Sequence, residues 1–378
     1  MRLSTWATVS FVGLLGFVAC GTTEGATNSP STPSGTTSPT GNPTGSPTGT
    51  PTGTATATGT TTGTTTPPVA PPVAGSGLFE NPMPWTTTVD TVPKAAQSDA
   101  IIAALSGVGG FGTGGLQTEP SIIVLAANAT TPYRTFTKTS DFFAGECDDV
   151  PFPVPAGGAV EGNPGYSCVD DGDCHLLVVD SAKGKLFEMW RANINGANFL
   201  GGCAAVWDLK KAYGPTLRGK GCTSADAAGF PIAAMLASPD EAFAGEIKHA
   251  LRYTLPTSRI LKDIYVPPAT HTAGTTGTNA NLPPYGTRLR LKAGTNVASL
   301  AKGAQVIANA LKKYGMFLAD GGTVPLTIMS DRYTKHKWTE TGITNDASLA
   351  SLKATDFEVV ELGTRVNYAA DDRCYRNP

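Results

Sequence analysis

The chain has no surplus of charge of either sign, few histidines, no internal repeat in its folded part and, beyond its first residues, no long apolar run. Each absence excludes something. Lys and Arg number 28 against 30 Asp and Glu, a formal net charge of -2. A nucleic-acid protein would show a clustered basic surface, so nucleic acid is not an expected partner. No later segment approaches the roughly 18 continuous apolar residues of a membrane helix, which leaves lipid as the one expected membrane anchor. There is no nucleotide-binding glycine loop, no HExxH zinc helix and no Gly-x-Ser-x-Gly elbow. The four histidines are scattered and no cysteine pair has two-residue spacing, so no metal cofactor is expected from that side.

What is present begins with an address. Residues 1–20 read MRLSTWATVSFVGLLGFVAC. Arg2 supplies the positive start, and Trp6 to Val18 has the length of a signal-peptide apolar stretch, too short to span a bilayer comfortably. Small or apolar residues before Cys20 resemble the bacterial lipobox, with Phe17 where leucine is usual. Cys20 is thus the expected lipidation site, giving an exported protein anchored to the envelope at the outer membrane or cell surface. Residues 21–74 are nearly all Thr, Gly, Pro, Ser and Ala and include the run PTGNPTGSPTGTPTG. Such a segment buries too little to offset the entropy of ordering, and reads as a disordered tether. Residues 75–378, roughly 300 in number, are long enough to bury a core as one globular domain.

Cysteine use fits an oxidising compartment. Seven cysteines occur. With Cys20 assigned to lipid, Cys147, Cys168, Cys174, Cys203, Cys222 and Cys374 remain, an even set that predicts three disulfides. Six cysteines allow 15 pairings, and spacing alone does not choose among them. Cys168 and Cys174 flank the acidic loop VDDGD and are placed to pair locally, and a bond at Cys374 would pin the C-terminus.

Within the domain, short strand patterns predominate. Ser98 to Leu105 reads as a helix capped by Ser98. Ser121 to Ala126, His175 to Val179, Leu186 to Arg191, Ala204 to Leu209, Thr287 to Lys292, Met316 to Ala319 and Phe357 to Val360 read as strands. Gly245 to Leu255 alternates, with Ile247, His249, Leu251 and Tyr253 on one face. Val297 to Tyr314 has apolar residues at helical spacing and ends at Gly315. The pattern predicts a mainly β domain, a β-sandwich or jelly-roll with a few peripheral helices, or alternatively an α+β fold.

Several strings are distinctive: GEIKHALRYT from Gly245, PPATH from Pro267, LPPYGTRLRLKA from Leu282, LKKYGMFLADGG from Leu311 and DFEVVEL from Asp356. Together they resemble a group of exported, mostly bacterial proteins. The resemblance implies one domain across most of Asn81 to Leu362 and brings no activity or catalytic residue with it.

Candidate site residues therefore come from chemistry alone. His249, on the apolar strand face, and His271, on a stiff turn beside a Gly/Thr-rich stretch, are candidate general bases, each weighed against a hydrogen-bonded structural histidine. Asp226, among small residues, and Asp320, before a Gly-Gly turn, are candidate acids, weighed against a backbone cap and an Asx-turn. Glu246 completes the acidic set, and Arg252, Arg288 and Arg290 are candidate substrate-binding guanidiniums. Asp170, Asp171 and Asp173 resemble half of a calcium loop without its bidentate Glu, which makes calcium the one metal weighed. An exported, β-rich domain with these groups suggests a partner in extracellular polysaccharide, processed by hydrolysis with paired carboxylates or by elimination with a histidine base and an arginine. The reading from another class is a carbohydrate-binding or structural module using aromatics such as Trp190, Trp207 and Tyr213.

Overall fold

Apolar runs in the sequence become strands where both faces are covered. In the computed structural model, which describes residues 77–169, 172–370 and 373–377, Leu176–Asp180 is buried at every position. It pairs antiparallel with Lys185–Met189, which in turn pairs antiparallel with Ala204–Asp208, while Val124–Ala126 lies parallel on the other edge. Successive side chains alternate between two cores. Leu177, Val179, Leu186 and Trp207 enter the larger one, and Leu176, Val178, Phe187 and Met189 enter a smaller one with Phe152 and Phe199.

A second four-stranded sheet has the order Leu251–Leu255, Met316–Gly321, Arg288–Leu291, Phe357–Val360. The first pair is parallel and the others antiparallel. Its Leu251, Tyr253, Leu289 and Val359 join the larger core. The helix Lys302–Lys313 buries Ala304, Ile307, Ala308 and Leu311, the one-face spacing of an amphipathic helix. It ends where Gly315 takes a φ of +72°, and a Cβ there would stand 2.4 Å from the Leu289 carbonyl oxygen. Two- and three-stranded pieces complete a mainly β architecture with few helices, among them Thr118–Ile122 parallel to Leu326–Met329.

Three disulfides close the described part of the chain: Cys147–Cys203, Cys168–Cys174 and Cys222–Cys374. All six cysteines of the domain are paired, including the local bond and the C-terminal one expected. Among the described residues no helix is long and apolar enough to cross a membrane. Cys20, the signal segment, the tether to Ala74, and Asp170 and Asp171 of the calcium-loop expectation lie outside the described residues.

Two expected binding groups prove structural. Arg288 and Arg290 hold down the stretch Thr87–Val92, which turns at Val89 and whose carbonyls have no strand partner. Arg288 Nη2 donates to Thr87 O at 2.6 Å and Nη1 to Glu361 at 2.7 Å. Arg290 Nη1 donates to the carbonyls of Val89 and Val92, and its Nε and Nη2 to Glu358. The surface aromatic platform also dissolves: Trp207 is wholly buried, with Tyr213 edge-on against it at 5.2 Å.

Candidate functional site

The loop Thr223–Gly229 is folded by its own small residues. Ser224 Oγ accepts the Asp226 amide at 3.0 Å and donates to Phe230 O at 2.7 Å. Gly229 has a φ of +84°, and a Cβ on it would meet Thr270 Oγ at 2.1 Å, so only glycine lets the Pro267–His271 turn come this close. The result aims the Asp226 carboxylate inward, with Oδ1 accepting the Ala228 amide at 3.2 Å.

Across from it stands Arg252, on the face of its strand opposite Leu251 and Tyr253. Its Nε and Nη2 donate to Asp226 Oδ2 at 3.1 and 3.0 Å, and Nη1 donates to Thr327 at 2.6 Å. The neighbouring strand carries a bulge: Tyr253 pairs with Leu318 but Thr254 with Asp320, skipping Ala319. Such an irregularity re-aims a side chain, and here Asp320 Oδ2 comes within 3.6 Å of the same Arg252 Nη2. Two carboxyls therefore share one guanidinium. Burial pushes both above the usual carboxylate range, against the pull of Arg252, and the charge of Asp320 adds to the rise at Asp226. Both oxygens of Asp226 already accept N–H groups, and its side chain is fully buried. Asp320 Oδ2 has only longer contacts, 3.3 Å to the Ala227 amide and 3.6 Å to Arg252, and its side chain is 25% exposed. Asp320 Oδ1 accepts the Gly321 amide at 2.7 Å, but only Asp226 takes two guanidinium N–H donors, so Asp226 is the better-held charge and the proton that the pair retains is assigned to Asp320.

A second charged pair lies alongside. His175 Nδ1 is 2.5 Å from Glu161 Oε2, and Nε2 is 3.1 Å from Ala225 O. Both partners accept only, so both ring nitrogens carry hydrogen. Burial alone would lower the His175 pKa, but the Glu161 carboxylate overrides it and holds the imidazolium up to about 9. His271 is the reverse case. Its Nδ1 donates to Ala227 O at 2.8 Å, and burial pushes it down to about 4, which leaves a neutral ring with a lone pair on Nε2, 3.8 Å from Glu146 Oε2.

These groups border a cleft of about 300 Å³ whose walls include Asp226, His271, Tyr285, Asp320, Trp190 and Phe143. Asp173 lines it too, exposed next to the Cys168–Cys174 bridge and accepting Trp190 Nε1 at 2.9 Å. The structure thus gathers Asp226, Arg252, Asp320 and His271 from the sequence candidates. It adds Asp173, His175 and Glu161, which sequence reading assigned to a calcium loop, to a strand and to nothing. A histidine opening an otherwise apolar strand was the available signal for His175.

Two candidates fall elsewhere. Gly245 caps the helix Pro239–Ala244 and residues 246–250 are irregular, so the alternation expected from Gly245 onward holds only from Leu251. His249 is consequently buried away from the cleft, its Nδ1 donating to Ala250 O at 2.8 Å and its Nε2 3.3 Å from Glu241. Glu246 is exposed between Lys248 and Lys313. Among the described residues no group of three His, Cys, Asp or Glu side chains is arranged to hold a metal ion.

Compared with protein-family models, with curated proteins and with solved structures, the chain matches none. Roles for these residues rest on geometry and chemistry alone.

Proposed function

We propose that the domain is a glycoside hydrolase acting on neutral polysaccharide outside the cell, held at the envelope surface by a lipid on Cys20. The observation that carries this reading is Asp320, a carboxyl that keeps its proton above the ordinary range yet reaches a cleft walled by aromatic side chains, with Asp173 on the same cleft. Glycoside hydrolysis needs a protonated acid with a second carboxyl group across the same cleft. Asp320 gives its proton to the glycosidic oxygen as the C–O bond breaks. Asp173 deprotonates the attacking water, whose oxygen joins the anomeric carbon, so the proton that Asp320 loses to the leaving group is matched by the one Asp173 gains, and exchange with solvent returns both carboxyls to their starting states. His271 Nε2 is an acceptor for a sugar hydroxyl, and Trp190 and Phe143 offer faces for ring packing. The signal segment, the lipobox and the three disulfides support export and anchoring.

Elimination from a uronate fits less well. It calls for a guanidinium free to neutralise the substrate carboxylate. Arg252 is the one arginine among the described lining residues, no lysine joins it, and it is committed to Asp226 and Thr327.

The test is a screen of the purified protein on neutral and acidic polysaccharides, following new reducing ends together with the ultraviolet absorbance of unsaturated uronates. Reducing ends without absorbance, lost in Asp320→Asn, are expected. Absorbance would replace hydrolysis by elimination. Retention on a polysaccharide without any product would replace catalysis by a carbohydrate-binding module.

A further inference from the structure

The cleft does not end at its acid. Behind Asp320 and Gly321 a hollow of about 170 Å³ opens against Thr254, Thr323 and Thr327. Beyond it lies a wider one of about 430 Å³, walled by Ser121, Asn163 and Pro164. The three spaces share their walls. Asp173 lines all of them, Asp320 and Gly321 line the first two, and Glu119 and Glu161 line the last two.

Resting on the hydrolase reading, we infer that these spaces form one continuous groove with the carboxyls partway along it, and that the enzyme cuts an extended polysaccharide chain internally. An end-cutting enzyme needs a wall just past the reacting sugar. Here the larger volume lies past Asp173 and Asp320, so sugar units are accommodated on both sides of the bond. The two arms differ in chemistry. The near arm packs rings with Phe143, Trp190 and Tyr285, and the far arm meets hydroxyls with Ser121, Thr327 and the carboxylate of Glu119. Binding energy from sugars remote from the cut is then available to orient the scissile bond. Arg252 and His175 line the hollow between but are committed to Asp226 and Glu161, and the described residues of the widest hollow include Glu119 and Glu161 and no basic side chain, which suits neutral chains over uronates.

Glu119 is the handle for a test. It is exposed on the strand Thr118–Ile122, so Glu119→Ala is expected to leave the fold intact. On the polymer cut in the screen, mean chain length is expected to collapse while reducing ends are still few. Glu119→Ala is expected to raise KM for hexasaccharides about tenfold, the loss of one charge-assisted hydrogen bond, and that for trisaccharides far less. If mono- and disaccharides are the first products and the variant treats both lengths alike, the groove inference fails and the hydrolase reading stands. If nothing is cut, the hydrolase reading fails on its own. The groove is then judged by calorimetric titration of Asp320→Asn with neutral glucan, mannan and xylan oligosaccharides. Hexasaccharides bound no more tightly than disaccharides, or binding indifferent to Glu119→Ala, would overturn it.

Discussion

Two carboxyls on one buried guanidinium leave an excess negative charge where water cannot solvate it well, and a retained proton is the least costly remedy. Because Asp226 takes two N–H donors from Arg252 while Asp320 has only a 3.6 Å contact to it, Asp320 carries the proton, and the consequence is kinetic. On the hydrolase proposal, Asp320→Asn is expected to lower kcat by about 10²–10⁴-fold with KM little changed, since a positioned general acid contributes that much. The wild-type pH–rate profile should keep its activity above the usual carboxylate range and lose it as Asp320 ionises. His175 gives a stability counterpart. Its pKa rises from 6.5 to about 9 in the folded chain. Protonation is thus favoured by folding, so the stabilisation is complete below 6.5 and disappears as the pH climbs to about 9. A shift of this size on a buried group is worth about 3 kcal/mol. Thermal unfolding followed between those pH values should show a falling Tm, and Glu161→Gln, which removes the carboxylate that holds the proton, should flatten the slope. His271 acts with opposite sign, its neutral form favoured by folding, so it weakens the protein as the pH falls from 6.5 towards about 4.

At the level of single elements the sequence was informative wherever a side-chain period extended across the whole element. The strand read at Phe357 to Val360 has the observed bounds, and those read from His175, Leu186 and Ala204 are met within a residue or two. Where the period is carried by a turn that happens to alternate, as at Gly245 to Ala250, the reading misplaced His249. Ser98 was legible as a helix start, but its hydroxyl accepts the Val359 amide instead of capping the helix. The site was half legible for a related reason. Asp226 and Asp320 announce themselves by sitting among small residues, whereas a long-range partner such as Glu161, fourteen residues from His175, has no local signature. The arginines were the costliest misreading, because an alternating Arg-x-Arg looks the same facing solvent or clamping backbone. A direct check separates the two. Arg290→Met leaves Glu358 and two carbonyls without their donor and should cost about 3 kcal/mol in denaturant unfolding, while kcat/KM of the folded protein stays at the wild-type value. A binding arginine would give the opposite outcome.

Over the whole molecule, the cleft depends on a tie between distant parts of the chain. Cys222–Cys374 spans 152 residues and seats Tyr375 and Arg376 in antiparallel pairing with Gly219 and Lys220. From there Arg376 donates to the Glu146 carbonyl at 2.6 Å and pairs with Asp148 at 2.9 Å, beside the Cys147–Cys203 bridge. Glu146 in turn accepts the Thr223 amide at 3.0 Å, and Arg218 joins Asp148 to the Thr223 carbonyl. The C-terminus therefore props the loop that carries Asp226. Replacing both Cys222 and Cys374 with serine removes the constraint from a long loop, and chain entropy alone puts the loss at about 4–5 kcal/mol. The expected pattern is a lower Tm together with faster amide exchange in Thr223–Gly229, ahead of the sheet strands. Exchange that rises everywhere at once would mean that the bond stabilises the fold generally and has no particular hold on the cleft. The localised pattern would fit the proposed hydrolase working in an oxidising compartment: reduction would loosen the loop that carries Asp226 before it unfolded the core.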